Sequence, residues 1–499
     1  MNPEDSGIDR FNDRLEVIKN RITSCKVQLT ELKSELDTLV ETRRTSTWAW
    51  KESPILALPP EVLLIIFGIV NQRPRISHLT LLTLCAVCHQ WSALIVDTPS
   101  VWSLVAIAVN RFLPLHGLEK YLMNSRNEHL DVILFRDDNL EIDYFEASRV
   151  AYIIQYLGYA MNRWRSLELR ILHFEAARVA LTNCRGRADA LRDLTISCAS
   201  FGLHDPDEEI FREWNSGFEA PGLKVLTLAG EALFWIGQAN VRWINSIRQL
   251  EKLTLADYGM TNEPLISAGH LYRILRFNSI RRSIRIIELK NVHVEPAHMT
   301  NQSEAIMDSL RVICITGGCP ETASSIIHRL NASNLQRIQV TGTDHTSTSY
   351  LQHLRLPFCA HNQCHRYPML RAMCLTRVRL PLSDLRYLER CEHLTLCEVE
   401  DVDDGFMRAL SNSRYEYASP GHSNSIPRYY LPNLRSLLIV RCPYFDAKSL
   451  CDMIATRRLC VDDVIRPTEL TMVSVTGGHS LSAVERQWFE QHVQRFDWA

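Results

Sequence analysis

The chain has no stretch that would cross a bilayer, which takes about 20 apolar residues; its most apolar run, residues 62–70, covers nine positions. The first ten residues, MNPEDSGIDR, open acidic and hold no apolar core, so no secretory signal is expected there. An excess of charge is missing too. A formal net charge of −2 over 499 residues gives no field that would draw the whole chain to nucleic acid or to an anionic membrane. The sequence contains no GxxxxGK[ST] phosphate loop, no GxGxxG, no GxSxG and no HExxH, so no paired catalytic motif is in view. The 15 cysteines, without a secretory signal, read as reduced thiols buried as small hydrophobes. These absences predict a non-catalytic protein of the cytoplasm or nucleus that binds neither nucleic acid nor membrane and carries no cofactor.

The first forty residues are strongly patterned. Apolar side chains fall at Ile8, Phe11, Leu15, Ile18, Ile22, Cys25, Leu29, Leu32, Leu36 and Leu39. Steps of three and four alternate without a break, the a/d seam of a left-handed coiled coil. The flanks do not suit self-pairing. A parallel homodimer would set Arg14 against Lys19 and Arg21 against Lys26, like charges where opposite ones are usual. The expected partner of residues 1–45 is therefore an acidic helix.

After Trp48 and Trp50 comes ILALPPEVLLIIF. Proline suits the first position of a helix, so Pro60 opens one, with Glu61 well placed in its first turn. A helix apolar all round has to be covered on both sides. In a segment this short, one side faces its own domain and the other a partner. A second helical stretch follows through Leu79, Leu82, Ala86, Trp91 and Leu94, ending at Pro99 and Trp102. The order Leu58-Pro59-Pro60-Glu61-Val62-Leu63, Ile66-Phe67, Val87-Cys88, Trp91, Pro99, Trp102 resembles the F-box family, in the form common among fungal proteins. The resemblance implies a three-helix module that docks on a Skp-type adaptor and through it on a cullin–RING ubiquitin ligase. Carried over by position, Leu58, Pro59, Leu63, Ile66 and Phe67 are expected to face the adaptor or to form the domain core. The polar stretch 71–78 departs from the pattern and suggests a longer first loop. Cys85 and Cys88 spell C-x-x-C but are expected to pack within the module.

From residue 164 onward a six-residue phrase, apolar-x-x-apolar-x-apolar, keeps returning: WRSLEL (164), LRDLTI (191), LKVLTL (223), LEKLTL (250), IRIIEL (284), LRVICI (310), LQRIQV (335), LTRVRL (375), CEHLTL (391), LRSLLI (434) and LTMVSV (470). The intervals, mostly 25 to 43 residues, are longer than the usual leucine-rich repeat of about 20 to 29. Segments such as residues 434–458 resemble the strand-cysteine-helix repeats that follow the F-box in many F-box proteins. Each strand is expected to hide its fourth and sixth positions and to show its third and fifth on a concave face. VWSLVAI and HLDVILF would add two first strands, and RQWFEQHVQRFDW an amphipathic capping helix. The expected architecture is α/β: a coiled-coil helix (1–45), a three-helix F-box domain (46–110), and an irregular leucine-rich-repeat solenoid (111–499) with a parallel sheet on its concave face.

Two clusters hint at ligands. Third and fifth positions bring Arg337, Arg377, Arg379 and His393 to the concave face; if Arg377 and Arg379 lie on one strand they stand about 7 Å apart. That patch would suit an acidic or phosphorylated target segment. His353, Cys359, His361, Cys364, His365 and Cys374 are zinc-type ligands, but their spacing fits no standard finger. A long repeat loop is the plainer reading, and metal analysis of the purified protein separates the two. DVDDG at 401–405 reads as an acidic first helical turn rather than a calcium loop. The function these features predict is a substrate receptor of an SCF-type ubiquitin ligase; the alternative is an F-box scaffold that delivers no substrate.

Overall fold

The recurring phrase decides the main feature of the fold, because its buried positions recur in step. The computed structural model describes residues 5–45, 55, 58–71, 77–111, 115–137, 145–199, 213–214, 217–238, 240–258, 266–295, 305–317, 330–342, 367–378, 388–411, 413–416, 426–442, 444–459 and 467–499, with single positions at 323, 326, 327, 380 and 385. Two compact units emerge, Met1–Ile66 and Phe67–Ala499.

The first unit contains the 41-residue helix Asp5–Thr45. Among its described side chains the predicted seam is bare: Ile18, Ile22, Leu29, Leu32 and Leu36 are each half exposed or more. The helix Pro60–Asn71 begins in this unit and runs into the next.

The second unit is built on one 14-stranded sheet. Its strands are β1 (Leu104–Ala108), β2 (Leu130–Phe135), β3 (Trp164–Ile171), β4 (Asp193–Cys198), β5 (Val225–Gly230), β6 (Lys252–Tyr258) and β7 (Ile286–Val292). They continue as β8 (Val312–Thr316), β9 (Arg337–Thr341), β10 (Ala372–Thr376), β11 (His393–Cys397), β12 (Ser436–Val440), β13 (Met472–Thr476) and β14 (Arg495–Trp498). Order in the sheet equals order in the chain, and neighbours run parallel. The phrase explains the register. Fourth positions pair with fourth positions, Leu226 with Leu253, Leu253 with Ile287, Ile287 with Ile313 and Ile313 with Ile338. These side chains, with the first and sixth positions, are buried and form the core. Crossover helices such as Phe174–Asn183 cover that face, burying Ala176, Ala177, Ala180 and Leu181. Small residues there let a helix approach the sheet closely.

An eighth position completes the unit. Gly230, Asp257, Asn291, Gly317, Arg377, Glu398, Arg441 and Gly477 stand at or next to a strand's end at the same phase, with φ between 50° and 72°. Turning left-handed lets the chain leave the sheet while the same residue still donates the last ladder hydrogen bond: Gly317 N–H to Thr341 O at 2.9 Å, Arg377 N–H to Cys397 O at 2.9 Å, Glu398 N–H to Val440 O at 2.8 Å. At Gly230 only glycine fits, since a Cβ would stand 1.9 Å from the carbonyl oxygen of Cys198.

Two expectations need correction. LTRVRL at 375 is not a strand; β10 belongs to the overlapping phrase LRAMCL at 370, which puts Arg377 at the eighth position. The C-terminal segment is not all helix. A capping box between Ser482 and Glu485 opens the helix Ala483–His492, and the chain then adds β14 to the sheet edge.

Because each strand pairs only with its neighbours in the chain, damage to one should stay local. Leu437 on β12 is fully buried, and Leu437→Ala should weaken its surroundings by about 2–5 kcal/mol. Hydrogen exchange should rise in β11 to β13; an equal rise in β1 to β4 would contradict this layout.

Candidate functional site

The segment that resembles an F-box forms three helices, Pro60–Asn71, Ser77–Cys85 and His89–Val96, followed by the 3₁₀ turn Pro99–Trp102. Pro60 supplies no N–H at a position where none is needed. The preceding carbonyl of Pro59 accepts from Val62 N–H at 3.0 Å and from Leu63 N–H at 3.1 Å. The second stretch, read from sequence as one helix, is two. Cys88 breaks it in extended conformation and caps the third helix, its Sγ accepting from Trp91 N–H at 3.5 Å. Cys85 is partly buried, which raises its thiol pKa, as suits a packing residue.

The two faces of the first helix separate cleanly. Leu63, Phe67 and Asn71, four residues apart each time, are buried at 1%, 0% and 4% exposure. Phe67 meets Trp91 edge-on, ring centroids 4.9 Å apart. Asn71 donates from Nδ2 to Val101 O at 3.2 Å, and Trp102 donates from Nε1 to Ile95 O at 2.8 Å. On the opposite side Val62, Ile65 and Ile69 are 38%, 62% and 58% exposed. Their i, i+3, i+7 spacing makes one apolar stripe, with Ile66 half-buried at its margin. Among the residues singled out from sequence, Pro59 is exposed and Leu58 half-buried, while Leu63 and Phe67 belong to the core. Reasoning from sequence missed Val62, Ile65 and Ile69. Nine apolar residues in a row hide which face is which.

The second candidate site is dispersed. Arg337 opens β9 and His393 opens β11, both exposed and both in register with Ala372 between them. They stand two strand spacings apart, about 10 Å. Arg377 does not share their face. It lies beyond β10 in a left-handed turn, and its Nε binds the Glu398 carboxylate, whose other oxygen takes Arg441 Nε at 3.0 Å. Hydrogen bonding to Arg377 holds the Glu398 carboxyl below the usual carboxylate range. Arg379 lies outside the described residues.

His353, Cys359, His361, Cys364 and His365 also lie outside the described residues; Cys374 sits half-buried in β10, its thiol pKa raised by desolvation. Among the described residues no cluster of three or more His, Cys, Asp or Glu side chains is arranged to hold a metal. The carboxylates of 401–405 serve backbone: Asp401 accepts from Leu380 N–H at 2.8 Å, Asp403 from Phe406 N–H at 2.7 Å and Asp404 from Asp446 N–H at 2.9 Å. Among the described residues no helix is long and apolar enough to cross a membrane.

Comparison with known families adds one finding. The F-box-like family model matches residues 55–107, which takes in the three helices, the 3₁₀ turn and most of β1. That match supports an F-box protein. No curated protein matches the chain.

Proposed function

We propose that this chain is the substrate-recognition subunit of an SCF-type ubiquitin ligase. Residues 55–107 bind a Skp-type adaptor, and the sheet-bearing remainder, a leucine-rich-repeat solenoid of irregular period, holds the target protein while the cullin–RING machinery transfers ubiquitin. The observation that carries the reading is the F-box-like match over a helix whose outward face carries the apolar stripe Val62, Ile65 and Ile69. In-register parallel strands in chain order support the repeat reading. The chain itself is non-catalytic and works in the cytoplasm or nucleus.

Affinity purification with and without residues 54–102 tests the reading. The full chain should bring down a Skp-type adaptor and cullin, and a bound protein should accumulate when the proteasome is inhibited. Adaptor without cullin, or no protein that accumulates, would leave an interaction scaffold instead.

The N-terminal helix takes an acidic partner helix along its exposed seam, because its flanks carry Arg14, Lys19, Arg21 and Lys26. Residues 1–45 should sediment as a monomer at physiological salt; a stable homodimer would sink this assignment.

A further inference from the structure

The residue just before each strand, the second position of the phrase, forms a continuous row along one edge of the sheet. Its members are joined by backbone hydrogen bonds: Arg311 N–H to Arg285 O at 2.9 Å, Gln336 N–H to Arg311 O at 2.8 Å, and Arg371 N–H to Gln336 O at 3.0 Å. Arg285, Arg311 and Arg371 thus stand at the starts of β7, β8 and β10, and Arg337, the first residue of β9, fills the place beside Gln336. All four are exposed. Four adjacent strands therefore carry an arginine each on a chain whose net charge is −2.

Acidic residues close the row at both ends. Arg285 N–H donates to Glu251 O at 2.9 Å and Glu392 N–H to Arg371 O at 2.8 Å. Glu251 is engaged by Lys224 at 3.1 Å, and Glu392 lies 3.9 Å from Arg371. Within the stretch, Glu288 is held by Lys252 at 2.8 Å and Lys290 at 3.2 Å, and Asp308 is exposed in the turn before β8. Arg285, Arg311 and Arg337 have no acidic partner among the described residues.

Like charges one strand apart repel, so an isolated fold gains nothing from the row. An anionic partner relieves it. The row spans three strand spacings, about 14 Å, which an extended peptide covers with roughly four or five residues. A nucleic-acid backbone would run on past the strip and meet Glu251 or Glu392, and the chain's net charge gives it no wider attraction. Guanidinium groups match carboxylates in planar, two-point geometry.

We propose that Arg285, Arg311, Arg337 and Arg371 dock a short Asp/Glu-rich segment of the target protein. This rests on the receptor reading above and names the chemistry its target presents.

Fluorescence anisotropy with the full chain and a labelled pentaglutamate peptide tests it. The wild type should bind pentaglutamate and not pentaglutamine, more weakly as salt rises. Arg285→Gln with Arg311→Gln should weaken binding by about tenfold or more, whereas Arg435→Gln with Arg495→Gln, two exposed arginines elsewhere on the sheet, should leave it unchanged. Arg285→Lys with Arg311→Lys guards against a folding defect: it should retain more binding than the glutamine pair. No binding by the wild type, equal loss in both glutamine pairs, or preference for a phosphoserine peptide or an oligonucleotide of equal charge would overturn the proposal. Adaptor capture measured on the same preparation keeps the two readings apart. If the adaptor binds and pentaglutamate does not, only the strip falls.

Discussion

Ile65→Asp combined with Ile69→Asp should abolish capture of the Skp-type adaptor while leaving the fold intact. Both side chains are more than half exposed on the free chain, so a carboxylate at either position is solvated and costs the folded state little. Once an apolar partner covers the stripe, each carboxylate has to shed its water with no cation to meet it. Burying an unpaired charge costs several kcal/mol, and two such charges exceed what a standard interface has to spare. Leu63→Asp and Phe67→Asp should behave differently. Those side chains are at 1% and 0% exposure, so the penalty falls on folding and the helical circular-dichroism signal should drop with binding. The contrast is the test. If Ile65→Asp/Ile69→Asp bound the adaptor at wild-type affinity, the stripe would not be the docking face; if Leu63→Asp stayed folded and merely lost binding, the assignment of faces would be reversed.

How far the sequence revealed this structure depended on what the pattern had to decide. Period-two phrases with buried fourth and sixth positions located the strands from β3 to β13, with the phase wrong at one of them, because burial and register there obey the same rule. The exception is instructive. LTRVRL and LRAMCL share Leu375, and both satisfy the phrase. Only the left-handed residue at the eighth position, Arg377 in line with Glu398 and Arg441, sets the phase. Arginine and glutamate give no hint of positive φ, as glycine or asparagine would, so the phase was not legible at that site. β14 escaped notice because four residues, RFDW, carry too little alternation to stand out from the helix before them. The exposed apolar stripe was illegible for the opposite reason. A run with no polar residue carries no amphipathic phase, and only the fold around Phe67 and Trp91 separates inside from outside.

Loss of Arg457 should do damage as large as loss of a core leucine, and spread it over three segments at once. Its guanidinium is buried at 1% exposure, in the helix Ala447–Leu459. Nη1 donates to Leu410 O at 3.3 Å and Tyr430 O at 3.4 Å; Nη2 donates to Leu431 O at 3.0 Å, Pro432 O at 3.4 Å and Thr468 O at 3.3 Å. Three separate segments thus share one side chain: the end of the helix Asp404–Ser411, the turn before β12, and the approach to β13. Burial lowers its pKa to about 10, still above neutral, so the group remains charged and draws the carbonyl dipoles inward. Arg457→Met keeps an unbranched apolar stem but removes all five donations at once. Leu431 O and Pro432 O keep backbone donors in Leu434 N–H at 3.1 Å and Thr468 N–H at 2.7 Å, and the loss should still cost about 3–5 kcal/mol locally. Arg457→Lys should recover only part, since one ammonium cannot span the positions a planar fork reaches. Hydrogen exchange is the measurement, because a chain of this length is not expected to unfold in one step. Amides at the starts of β12 and β13 should lose protection in Arg457→Met while β1 to β5 keep theirs. Protection unchanged around residues 430–434 and 468 would mean that the arginine fills space and holds nothing.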